Sequence, residues 1–380
     1  MSAHPLAAWP ELDDTQRAAA RQARADGVPV VGLVGTVTPV ELVLAARVFP
    51  LALSARAADW ARHTDDMEDG HEPEVRSLFM QGLEGEFELC DLVVIPSASD
   101  GHRFLFQYLR EMQRQGRADR LPPLHHLDLL FGPSPPVRRH SLRALHGLVD
   151  RLSMLTGHRP GDAELCDAIA RCNALRRLLA LLNERRAAGQ VIGVDAHRAT
   201  RTCGFAPTPV QVDALAAWVA ALGKAEVDGT RPRLLLVSAV PLYHEALHAA
   251  CEAAGALVTA EDDEWGARRG APPLAAGASP LEAMFDHLVR HAVSPRMLRA
   301  GREAWVTAQL ASGAYDGVVF YVPPSDQYFG WRYPALKAQA EQAGLATLLV
   351  RDDALDPASR LEATLAPFVA GLAVRRGSLR

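Results

Sequence analysis

The chain has 380 residues, 49% of them apolar and 22% charged, with a formal net charge of −5. That length exceeds one ordinary core, so two domains are expected, and the composition is that of a soluble globular protein. The negative balance argues against non-specific nucleic-acid binding, and no apolar run approaches the roughly 20 residues of a membrane span.

Glu11, Asp13 and Asp14 stand where a leader would be basic and then apolar, so a cytoplasmic chain is expected. The cysteines at 90, 166, 172, 203 and 251 form no C-x-x-C pair and read as reduced, mostly buried thiols.

In chain order, residues 1–27 read as a polar, alanine-rich helix, and 28–136 as a first α/β domain. Within it 30–34 is a strand, and Gly35-Thr36-Val37-Thr38-Pro39 turns the chain into a helix. Thr38 is placed to cap that helix, with Glu41 as a solvated first-turn carboxylate. Residues 49–53 are extended, 74–88 helical, 92–96 a strand, 102–115 a helix and 122–127 strand-like. A Pro/Gly cluster at 132–136 closes the unit.

Residues 137–228 form a helical segment, in which Leu142, Leu145, Leu148, Val149 and Leu152 recur at helical spacing. A hairpin over 137–190 and a helix over 208–225 are expected there, with Cys203 in a loop. Residues 229–380 form the second α/β domain: strands at 233–238, 255–260, 318–322 and 346–350, and helices at 245–254, 281–312, 333–343 and from 359. Alternating strands and helices predict an α/β fold of two doubly wound parallel sheets.

Two strands end alike, one running into Ser99-Asp100 and the other into Ser325-Asp326. Ligands gather at the carboxyl ends of such strands, so both pairs are candidate sites. Ser99-Asp100-Gly101-His102-Arg103 offers a hydroxyl, a carboxylate, an imidazole and a guanidinium. Glu41, Asp100 and His102 are candidate acid–base groups, and Thr36, Thr38, Ser99, Arg103, Arg268, Ser325 and Asp326 candidate substrate contacts. The competing reading makes Asp100 a helix cap, with His102 and Arg103 turned outward.

Several chemistries lack their motif. There is no G-x-S-x-G elbow, no H-E-x-x-H, no G-x-G-x-x-G after a strand and no G-x-x-x-x-G-K-[ST]. His125 and His126 are adjacent and would point to opposite faces of a strand, so no metal site is expected. Arg138, Arg139, Arg143, Arg176 and Arg177 suit either anionic ligand groups or solvated helix faces.

The order of these features resembles the 2-hydroxyacyl-CoA dehydratase and ATP-dependent benzoyl-CoA reductase subunit family. The resemblance runs over about residues 28–370. It is carried by Pro39-Val40-Glu41-Leu42, Cys90-Asp91-Leu92-Val93-Val94 with Ser99-Asp100, Asn173-Ala174-Leu175-Arg176 and Asp262-Asp263 with Gly266-Ala267-Arg268. Asp316-Gly317-Val318 with Ser325-Asp326 and Tyr333-Pro334-Ala335-Leu336-Lys337 completes it.

The resemblance implies two Rossmann-like domains, a 4Fe–4S cluster held between them by strand-end cysteines, subunit pairing, an ATP-dependent activator and an acyl-CoA substrate. Here Ser99 and Ser325 replace two of those cysteines, and the Ser238-Ala239-Val240 turn lacks the third. Serine hydroxyls do not take the place of thiolates on iron near neutral pH.

The expectation is therefore a cluster-free subunit that pairs with a homologous cysteine-bearing subunit and helps to form an acyl-CoA pocket. An independent acyl-CoA-binding enzyme and a non-catalytic assembly or regulatory protein are the alternatives.

Overall fold

Runs rich in valine, isoleucine and leucine set the architecture, because only a strand covered on both faces can carry them. The computed structural model describes residues 8, 9 and 13–378, except positions 69, 205–206, 226–227, 239–240, 278, 294–298, 325, 327–328 and 357–358.

After helix α1 (Asp13–Ala25), strand β1 (Val30–Val34) leads to α2 (Val40–Ala45) and β2 (Phe49–Leu53). Then come α3 (Pro73–Leu83), β3 (Leu92–Pro96), α4 (Asp100–Arg114) and β4 (Leu124–Leu127). The helical segment holds α5 (Pro135–Thr156), α6 (Asp162–Ala188), α7 (Gly193–Cys203) and α8 (Pro209–Leu222). The second α/β unit runs β5 (Arg233–Ser238), α9 (Ala246–Ala253), β6 (Leu257–Asp262), α10 (Pro280–His291) and α11 (Arg299–Ala311). It ends with β7 (Gly317–Tyr321), α12 (Tyr333–Gln342), β8 (Ala346–Val350) and α13 (Leu361–Ser378).

Among the described residues these strands form two four-stranded parallel sheets, ordered β2-β1-β3-β4 and β6-β5-β7-β8. The central strands β1, β3 and β7 are buried throughout, whereas edge strands β4 and β8 are mostly half-buried. Side chains alternate between faces as the pleat requires. Val31, Leu33, Leu92 and Val94 join one core, while Val30, Val34, Val93 and Ile95 join the core behind. In the second sheet Leu234 and Leu236 point to one side, Leu235 and Val237 to the other.

The two sheets also start alike. Asp91 accepts the Val30 amide at 2.8 Å, and Asp316 accepts the Arg233 amide at 2.8 Å. In each unit the aspartate before the third strand thus ties down the first residue of the first strand. No helix among the described residues is long and apolar enough to cross a membrane.

Three expectations shift. The helix expected over 74–88 stops at Leu83, and Gly85 then turns the chain at φ 81°. Cys203 closes helix α7 and is fully buried, rather than lying in a loop. The helix expected over 102–115 begins at Asp100, because Ser99 caps it.

Candidate functional site

Strand order reverses between β1 and β3, so the loops leaving these strands flank a crevice where α/β sheets bind ligands. In this chain the crevice is filled. Gly35 turns with φ 62°, and a Cβ placed there would meet His102 Cε1 at 2.6 Å. The His102 ring is buried against this turn, and burial lowers its pKa to about 4. A neutral, packed ring replaces the outward histidine of the competing reading.

Ser99, not Asp100, caps α4: its Oγ accepts the His102 amide at 3.0 Å. Asp100 is exposed and lies 3.6 Å from Arg103, itself about half exposed. Asp326 accepts the Phe329 and Gly330 amides at 3.0 and 2.7 Å, which closes a helical turn. Ser325 lies outside the described residues, as do Ala239 and Val240. Ser99, Asp100, Arg103 and Asp326 thus each have a local partner.

The remaining candidates converge elsewhere. Thr36, Thr38, Glu41 and Arg268 line one cavity with Cys172, Arg176, Glu264, Arg269, His287 and His291. It lies where the α2 entry, α6, the chain after β6 and α10 meet, with about 90 Å³ open to the centres of water molecules.

Glu41 is not the solvated carboxylate that its first-turn position suggests. It is 3% exposed and paired with Arg176 at 2.5 Å. Asn173 accepts from Arg176 Nη1 at 3.0 Å and holds the Leu274 backbone through both ends of its amide. The helix spacing of Asn173 and Arg176 thus places one clamp on Glu41 and one on the opposite wall. Thr38 does not cap α2 either; its Oγ1 is buried without a hydrogen-bond partner on the cavity wall.

On the other wall Thr36 Oγ1 donates to Glu264 Oε2 at 2.9 Å. Burial, and then the nearby Asp263, raise the Glu264 pKa to about 8. Glu74 is raised well above its ordinary value by burial and then by Glu264. Arg269, half-buried and next to Arg176, is lowered to about 10 by desolvation while its guanidinium bonds the Gly204 carbonyl. Arg268 is held by Asp262 at 2.9 Å and lies over the Trp305 ring at 5.3 Å. His287 and His291 are both lowered, burial being the larger cause.

The cavity therefore combines a carboxyl that keeps its proton near neutral pH, fixed guanidinium groups and an unsatisfied hydroxyl. Such a set can orient a carbonyl, receive an anionic group and exchange a proton. Sequence reasoning missed Glu264, Arg269, His287 and His291. Glu264 sat in a recognisable acidic turn, but its partner Thr36 is 228 positions away.

The thiols do not fit an iron–sulfur cluster. Cys90, Cys172, Cys203 and Cys251 belong to four different hydrophobic cores, and Cys166 lies half-buried on α6. Burial raises Cys90 and Cys203 to about 12, away from the thiolate form that iron requires.

A structural comparison with a hypothetical protein of Thermus thermophilus covers 96% of this chain and 83% of that one, at 14% identity and a TM-score of 0.17. No curated protein matches this chain. The family model described as 2-hydroxyglutaryl-CoA dehydratase, D-component, matches residues 35–369, both α/β units and the helices between them. The description names one component of a multi-component enzyme, and the chain belongs to this dehydratase D-component family.

Proposed function

We propose that this chain is a cluster-free subunit of a 2-hydroxyacyl-CoA dehydratase-type complex, and that its cavity takes the acyl end of a CoA thioester. It pairs with a homologous cysteine-bearing subunit served by an ATP-dependent activator. The observation that carries this reading is the separation of the thiols into four cores in a chain that matches the family over residues 35–369.

Within that reading each cavity residue has a task. The Thr38 hydroxyl and the Arg269 guanidinium orient the polar end of the acyl group. Protonated Glu264 supplies or recovers a proton at the bound group, and Thr36 aims its carboxyl. Glu41 positions Arg176 rather than touching the substrate. About 90 Å³ suits an acyl end and not a whole cofactor, so the nucleotide part of CoA lies outside the pocket.

Native mass spectrometry of the complex, isolated anaerobically from its host, tests the proposal. The expected masses are this chain with a homologous partner and a bound acyl-CoA, with iron following the partner once the two are separated. Iron that follows this chain, or a chain that runs without partner and thioester, contradicts it.

A further inference from the structure

A second polar cluster, none of whose residues lines the acyl cavity, lies where α7 and α9 pack on β6. His197 comes from α7, His248 from α9 and Glu261 from β6, and all three side chains are fully buried. The two imidazoles stack with centroids 4.4 Å apart. His248 Nε2 lies 3.7 Å from Glu261 Oε2, and His197 Nε2 lies 3.9 Å from Asp263 Oδ2.

Both nitrogens of both rings lack a hydrogen-bond partner. Orphaned polar atoms in a dry interior are costly, and buried polar groups are almost always satisfied. Four of them in two stacked rings beside buried carboxylates need a physical reason. The potential ligand atoms of the three residues lie within 4.8 Å of one another. Bond lengths of about 2.0–2.1 Å around a tetrahedral ion would bring them to roughly 3.3–3.5 Å apart. That is a side-chain adjustment, not a change of fold.

We propose that His197, His248 and Glu261 bind one divalent cation of the zinc type. Two imidazoles and one carboxylate form a borderline-soft nitrogen–oxygen donor set, and water completes the coordination. The protonation states suit the task. Burial lowers the His248 pKa to about 4 and so keeps its ring neutral and able to coordinate. Burial alone would raise Glu261, but the Arg186 guanidinium overrides this and holds the carboxyl well below its ordinary value.

Neighbouring groups fix these ligands as outer-shell partners do in metal sites. Arg186 Nε also holds the Val258 carbonyl at 2.8 Å. Asp263 is anchored by the Leu242 and Trp265 amides, each at 2.9 Å, beside His197. His244, whose charge state feels both histidines, also lines a cavity with Tyr243, Tyr321 and Asp353. The ion pins α7 and α9 to β6. Its donors are neither thiolates nor members of the acyl cavity, so the site stands or falls separately from the proposed function.

The test uses the full chain, stripped with chelator, dialysed against Zn²⁺ and counted for bound metal, with Co²⁺ as a visible probe. About one ion per chain is expected, with the cobalt spectrum of a nitrogen–oxygen site and no thiolate charge-transfer band. H248N and E261Q each weaken binding by at least about tenfold, whereas surface H140Q leaves it unchanged. Melting is followed with and without Zn²⁺, so that a poorly folding variant does not decide the matter. Zn²⁺ raises the wild-type melting temperature and Mg²⁺ does not. Wild-type chain that retains no stoichiometric metal and melts unchanged, or a folded H197N/H248N double variant that still binds, overturns the proposal.

Discussion

Thr36 and Glu264 share a hydrogen bond of 2.9 Å between a loop of the first sheet and the chain leaving the second. This contact joins the two α/β units at the cavity and places a carboxyl of raised pKa on its wall. The Glu264 pKa is raised, from 4.5 to about 8. Its stabilising proton is fully present below the unfolded pKa and is lost as pH rises through the folded one.

The wild-type chain should therefore lose stability between about pH 4.5 and 8, by on the order of a few kcal/mol from this group. E264Q, which stays neutral, should show a shallower decline. Glu74 shifts in the same direction, so some slope remains. Thermal melts across this range check it, and superimposable profiles for the two proteins would refute it.

Buried Glu41 is paired with half-buried Arg176, so removing the guanidinium strands a buried carboxylate. R176M should destabilise the chain by about 2–3 kcal/mol, less than for a fully buried pair, and adding E41Q should restore much of that loss. Chemical denaturation of the single and double variants measures the coupling. Additive losses would mean that the pair is not coupled.

Ser99 caps α4 through its Oγ. S99A should cost about 1 kcal/mol, while S99D, which keeps an acceptor for the His102 amide, should cost far less. G35A should be worse than S99A, because it forces a side chain into a positive φ and against the His102 ring. Melting temperatures rank the three, and a harmless G35A would remove the packed-crevice account.

The ends of the sheets are also joined by Trp60, whose Nε1 donates to Asp353 Oδ2 at 2.7 Å. W60F keeps most of the ring and loses this bond to a carboxylate, so a loss of about 1.5–3 kcal/mol is expected. Hydrogen exchange should show faster opening of amides around 70–76 and 352–356. Unchanged exchange there would mean that the bond contributes nothing to holding these ends together.

Most of the fold was legible because central parallel strands leave a plain trace. The runs at 30–34, 233–238 and 346–350 matched their strands residue for residue, since burial on both faces keeps the middle of each run apolar. Helix α7 was missed because its apolar stripe, Ala196, Ala199 and Cys203, is short and made of small residues, set among the polar Asp195, His197, Arg198, Thr200 and Arg201.

The site was half legible. Loops at strand ends pointed to Thr36, Thr38 and Glu41, but nothing local distinguishes a first-turn glutamate in water from one facing Arg176 across the cavity. Ser99 and Asp100 were ambiguous for a related reason: a hydroxyl and a carboxylate before a helix suit capping as well as chemistry. Glu264 and Arg269 depend on pairing between distant parts of the chain, which spacing alone does not reveal.

The central claim, that this subunit carries no iron–sulfur cluster, is tested most directly by anaerobic reconstitution of the purified chain with iron and sulfide, followed by iron counting and spectroscopy. The account predicts no stoichiometric iron and no cluster signal. About four irons per chain with a cubane spectrum would contradict it.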